Sequence, residues 1–154
     1  MLQLIWSHGW GFDTTFFTPL CLALPGYEHF VIDWGYFDTP SMPELDRTRP
    51  IIGIGHSLGF AKLFDLPFSY ESVVSLGGFT HFCQTDSLKV GTPGRVLQRM
   101  LNRFQIYPQR VLQDFYRSCG FESLFANPSN LNTKLLSEDL ERLMSVNINL
   151  SNVN

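Results

Sequence analysis

Gly55-His56-Ser57-Leu58-Gly59 follows directly on the apolar run Ile51-Ile52-Gly53-Ile54. A G-x-S-x-G pentapeptide behind a β-branched strand is the sequence form of a nucleophile elbow: the chain leaves a buried strand, turns sharply through a strained serine and enters a helix. The following helix is expected over residues 58–66. Gly55 and Gly59 stand where strand and helix backbones approach most closely, and a Cβ at either would push them apart. The N–H groups at the start of that helix favour the negative charge that develops when a serine attacks an acyl carbon.

Upstream, residues 2–6 read as a short buried strand that runs into His8-Gly9-Trp10-Gly11. A His-Gly pair after a strand, ahead of a helical segment at 14–24, is the place for the other oxyanion donor, the backbone N–H of Trp10, paired with that of Leu58. Further strands are expected at 29–33, 51–54 and 72–76. Their alternation with helices argues for an α/β fold with a mostly parallel sheet and right-handed crossovers. The proline-punctuated stretch 39–50 reads as a loop with at most a turn of helix. Trp10, Ser57 and Phe79 all map to the carboxyl ends of strands, where ligands bind in open α/β sheets.

The order and spacing of these motifs resemble the α/β-hydrolase superfamily. Within it the chain is most similar to the bacterial pimeloyl-[acyl-carrier protein] methyl ester esterases of biotin synthesis. The resemblance is carried by His8-Gly9-Trp10-Gly11-Phe12-Asp13, Asp33, the elbow, Gly77-Gly78-Phe79 and the arginine-rich stretch beyond, over residues 2–144. It implies a core at 1–87, a helical lid and following helix at 88–145, and a tail at 146–154. It also implies a serine esterase with Ser57 as nucleophile and Trp10, Phe79 and Phe104 against the substrate. Phe104, Phe115 and Tyr116 have a second reading, as residues that simply pack the lid onto the sheet. No cofactor is implied, and no metal spacing is present.

The superfamily places its triad in the order serine, acid, histidine. Beyond residues 135–144, which read as a helix, the tail contains no glycine, aspartate or histidine. The fold is therefore expected to be C-terminally shortened, leaving an open edge strand, exposed apolar faces on the last helices, and a need for a complementary segment or homo-oligomer. Of four histidines, His8 belongs to the oxyanion loop, His29 lies at the far end of its strand, and His56 is expected to point toward the sheet interior or a neighbouring strand. His81, near the carboxyl edge, is the candidate base, with Asp86 or Asp33 to orient it. An esterase and a non-catalytic remnant or carrier-protein-binding module both stay open at this point.

Apolar Leu97, Met100, Leu101 and Phe104 fall on one helical face, while Arg95, Arg99 and Arg103 recur every four residues on another. Residues 88–117 carry six basic side chains and one acidic, in a chain whose net charge is −3. Such a reversal of sign suits an anionic partner. In the resembled esterases that partner is an acidic acyl-carrier protein, and Arg95, Arg99 and Arg103 are the positions that would dock it. The negative total charge argues against nucleic acid. At 154 residues and 44% hydrophobic, the chain can bury a sizeable core. No stretch reads as a signal peptide or membrane span. Cys21, Cys83 and Cys119 are expected to fill core or near-core space in a reducing cytoplasm.

Overall fold

The computed structural model describes residues 1–87, 89–121 and 130–150. Four strands, β1 (Gln3–Ser7), β2 (Glu28–Ile32), β3 (Ile51–His56) and β4 (Ser72–Leu76), form one parallel sheet in the order β2-β1-β3-β4. The helices are α1 (Thr18–Ala23), α2 (Leu58–Leu63), α3 (Gly94–Ile106), α4 (Pro108–Ser118) and α5 (Thr133–Ser145).

Strand alternation sorts the core by face. Leu4, Trp6 and Ile54 pack with Phe17 and Cys21 on the α1 side. Ile5, Ile32 and Ile51 pack with Leu63 of α2 on the other. Both faces of β1 are thus covered, as its unbroken burial requires.

Two helices are shorter than their sequence suggests. The segment 14–24 divides into a 3₁₀ turn, Thr14–Phe17, and α1, because Pro19 has no N–H for a continuous helix. Helix α2 ends at Leu63, and residues 64–66 continue it only through tighter bonds to Ala61, Lys62 and Leu63.

The third and largest core cluster lies above the sheet. It gathers Leu97, Leu101 and Phe104 of α3, Val111, Leu112 and Tyr116 of α4, and Leu136, Leu140 and Leu143 of α5 around Trp10 and Phe12. The apolar stripe of α5 is therefore buried, against the expectation that the last helices expose theirs; α3 and the loop after β1 cover it. Strand β4 is an edge strand of the described sheet, and Val74 is 42% exposed on it. All three cysteines are free: Cys83 is buried and Cys21 half-buried, but Cys119 is exposed and fills no core space. No helix among the described residues is long and apolar enough to cross a membrane.

Candidate active site

Ser57 joins β3 to α2 with φ 52° and ψ −124°, a conformation that no other non-glycine among the described residues shares in the sign of φ. Such a strained backbone persists only where its surroundings over-determine it. Here they do so by close approach. A Cβ on Gly55 would lie 2.2 Å from Phe60 Cα, and one on Gly59 would lie 2.1 Å from the Ser7 carbonyl oxygen. The Ser57 N–H donates to the Leu76 carbonyl at 3.1 Å, fixing the turn to the end of β4.

The loop after β1 closes over this serine. A Cβ on Gly9 would lie 3.0 Å from both Ser57 Cβ and His56 Nδ1, so a side chain there would press on both. Trp10 and Leu58 are both buried, and among the described residues neither backbone N–H has a protein acceptor. Buried N–H groups without partners are rare and ask for a reason. The Trp10 indole is committed elsewhere: its Nε1 donates to the Leu136 carbonyl at 2.8 Å, and Phe104 and Phe115 pack edge-on against it. Tyr116 adds a second tie, its hydroxyl donating to the Gly11 carbonyl.

The four histidines differ in what their ring nitrogens do. His29 is engaged at both, accepting from Trp6 Nε1 at 3.1 Å and meeting the Leu24 carbonyl at 2.8 Å. His8 is likewise filled. Its Nε2 accepts from the Trp34 N–H, which leaves Nδ1–H to donate to the Gly9 carbonyl. His81 lies beyond β4 with Nδ1 3.3 Å from Thr80 Oγ1, and among the described residues neither Ser57 nor a carboxylate bonds its ring. Asp33 instead accepts from the Gly35 N–H, closing the turn after β2.

His56 departs from its expected orientation. Its ring stacks on Phe16 at 4.2 Å and meets Phe12 edge-on at 5.3 Å, facing the 3₁₀ turn and the loop after β1. Alternation along β3 contained this signal, since Gly55 must face α2 and its neighbour must therefore face away.

Burial pushes the His8 imidazole down to about 4, so the folded protein keeps it neutral. Above pH 6.5 the ring is neutral in folded and unfolded chains alike. As pH falls below 6.5, the unfolded chain takes up a proton that the folded chain refuses until about pH 4. Urea unfolding should therefore show stability lost across that window, by about 3 kcal/mol from this group. His8→Gln, which can still donate and accept, should lack that part of the pH dependence. An identical dependence in the variant would refute the assignment.

Arg95, Arg99 and Arg103 lie on α3 as the spacing predicts. The stripe is not free of carboxylates in space, because Asp114 of α4 pairs with Arg103 at 3.0 Å. Arg99 and Arg103 line a cleft of about 290 Å³ between α3 and α4, with Met100, Val111, Asp114, Phe115 and Ser118. Phe115 forms one wall of that cleft and also packs on Trp10. Phe104 is buried beneath, and Phe79, half-buried after β4, packs on Phe82.

One functional-looking cluster has no counterpart in the sequence reading. Lys62 of α2 is buried beside Asp139 of α5, Nζ to Oδ2 2.6 Å, and the Tyr36 hydroxyl donates to the same oxygen at 2.5 Å. The Lys62 ammonium also lies 4.2 Å from the centre of the Trp34 ring. Burial lowers the lysine's proton affinity while Asp139 opposes that shift. No group of side chains among the described residues has the makings of a metal site.

A parallel sheet covered by helices, with a strained serine between β3 and α2 and a glycine-bounded loop folded over it, is an α/β-hydrolase fold. No protein-family model matches the chain, and no curated protein matches its sequence. Among solved structures the chain is similar to an esterase from Exiguobacterium antarcticum, with a TM-score of 0.74 and 14% identity, over 94% of this chain and 66% of that one. It is also similar to a lipase-esterase related protein from Clostridium acetobutylicum, with a TM-score of 0.63 and 19% identity, over 99% of this chain and 71% of that one. The chain thus spans just under two thirds of the first structure's length, and at these identities the likeness is one of fold.

Proposed function

We propose that this chain is a serine carboxylic ester hydrolase with Ser57 as its nucleophile. The observation that carries this reading is the pair of acceptor-less N–H groups on buried Trp10 and Leu58, one in the loop that passes over the strained Ser57 and one on the residue that follows it. Ser57 Oγ attacks the ester carbonyl carbon as its proton passes to a base, and the carbonyl oxygen becomes an anion held by the two N–H groups. Collapse expels the alcohol with a proton, and water then hydrolyses the acyl-serine. The base is His81 or a histidine from a segment that adds to the open edge of β4, whose outer side no described strand covers.

One substrate class is favoured by the cleft lined by Phe115, a ring that also packs on Trp10. An acyl chain running over Phe115 reaches Arg99 and Arg103, which suits a dicarboxylic methyl ester on an acidic carrier protein, the pimeloyl ester being the case the motifs resemble. The rival reading is a carrier-binding module without turnover. It is favoured by one fact: among the described residues no histidine bonds Ser57.

A fluorophosphonate probe separates the two readings. An adduct located on Ser57 by mass spectrometry, and lost in Ser57→Ala, is the expected result. A folded protein that stays unlabelled after prolonged incubation would favour the binding module.

A further inference from the structure

We infer that His56, with its proton on Nδ1, is a third hydrogen-bond donor to the acyl oxyanion formed at Ser57. The inference rests on the esterase reading and adds a catalytic residue to it. His56 Nδ1 is the only buried side-chain nitrogen or oxygen without a hydrogen-bond partner among the described residues. Its position is specific. Nδ1 and Ser57 Cβ both lie 3.0 Å from the point where a Cβ on Gly9 would stand, so no more than twice that distance separates them. Gly9 is followed by Trp10 and Ser57 by Leu58, so the three unspent nitrogens belong to residues of the elbow and of the loop that passes over it.

The ring is held for this purpose by carbon rather than by polar groups. Phe16 stacks on it with an interplanar angle of 22° and Phe12 meets its edge, and neither offers an acceptor that would compete for Nδ1. Burial also keeps the imidazole neutral at neutral pH, so it enters the reaction as a hydrogen-bond donor without charge. A buried N–H without a partner raises the free energy of the resting site. That cost is relieved when an oxyanion appears, so the interaction is made in the transition state and not before it, the condition for accelerating a reaction. The proton stays on nitrogen throughout, and the proton of Ser57 goes to the base.

The test compares wild type, His56→Phe and His56→Asn, each checked for folding by circular dichroism. Phenylalanine keeps the stack and removes the donor; asparagine can place an amide N–H near the same position. His56→Phe should slow phosphonylation of Ser57 by roughly 100-fold, and His56→Asn should recover to within about 10-fold of wild type. Equal rates in wild type and His56→Phe would overturn the inference. So would equally slow rates in both variants, which would make the ring's packing responsible. If wild type does not react at all, the esterase reading fails, and the tautomer decides the inference separately. ¹⁵N-resolved NMR should show the His56 proton on Nδ1 and protected from solvent; a proton on Nε2 would overturn it whatever Ser57 does.

Discussion

Gly59→Ala should unfold the protein or leave it barely stable. The new Cβ would stand 2.1 Å from the Ser7 carbonyl oxygen and 2.5 Å from that of His8, both backbone atoms, so no change of side-chain rotamer relieves it. Strand β1 cannot retreat either, because it is paired along its whole length with β2 on one side and β3 on the other. Forcing bulk into such a contact costs about 3 kcal/mol or more, against a total stability of roughly 5–15 kcal/mol for a domain of this kind. Gly26→Ala is the control, since a Cβ there meets nothing within 4 Å. Urea unfolding followed by circular dichroism should separate the two variants clearly. A Gly59→Ala protein within about 1 kcal/mol of wild type would show that strand and helix are not in contact at the elbow.

The buried ion pair gives the second large effect. Asp139→Ala leaves the Lys62 ammonium enclosed beside Trp34 and Tyr36, and strips the Tyr36 hydroxyl of its acceptor. Removing one partner of such a pair costs about 3–5 kcal/mol, because the remaining charge has lost both water and counter-ion. Replacing both, as Lys62→Met with Asp139→Leu, should restore part of that loss, since an apolar pair needs no solvation while the buried Tyr36 hydroxyl still lacks its acceptor. The cycle is read from unfolding free energies of the two single variants and the double variant. Single variants that each cost under about 1 kcal/mol would mean that water reaches the pair in solution.

The contrast between these two sites explains what the sequence disclosed. The elbow was legible because its constraints are local: Gly55, Ser57 and Gly59 lie within five residues, and each meets a steric demand set by the turn itself. The four strands were legible for the same reason, as short apolar runs set between turn and helix signals. Lys62 and Asp139 are 77 residues apart, and nothing in one lysine and one aspartate among 25 charged side chains marks them as partners. The pairing of Arg103 with Asp114 was hidden likewise, since it depends on how α4 folds back on α3 at Tyr107. His56 lies between these cases. Its side of the strand followed from Gly55, but the ring's stack on Phe16 depends on the 3₁₀ turn that Pro19 brings about.

Trp10 has two ends with different employments. Its main-chain N–H has no acceptor among the described residues, while its indole is fastened to the backbone of α5 at Leu136. A rigid ring joined to two separate elements transmits displacement like a crank. The one hydrogen bond at Leu136 therefore ties α5 to the loop that folds over Ser57, although α5 itself comes from a segment 126 residues further along the chain.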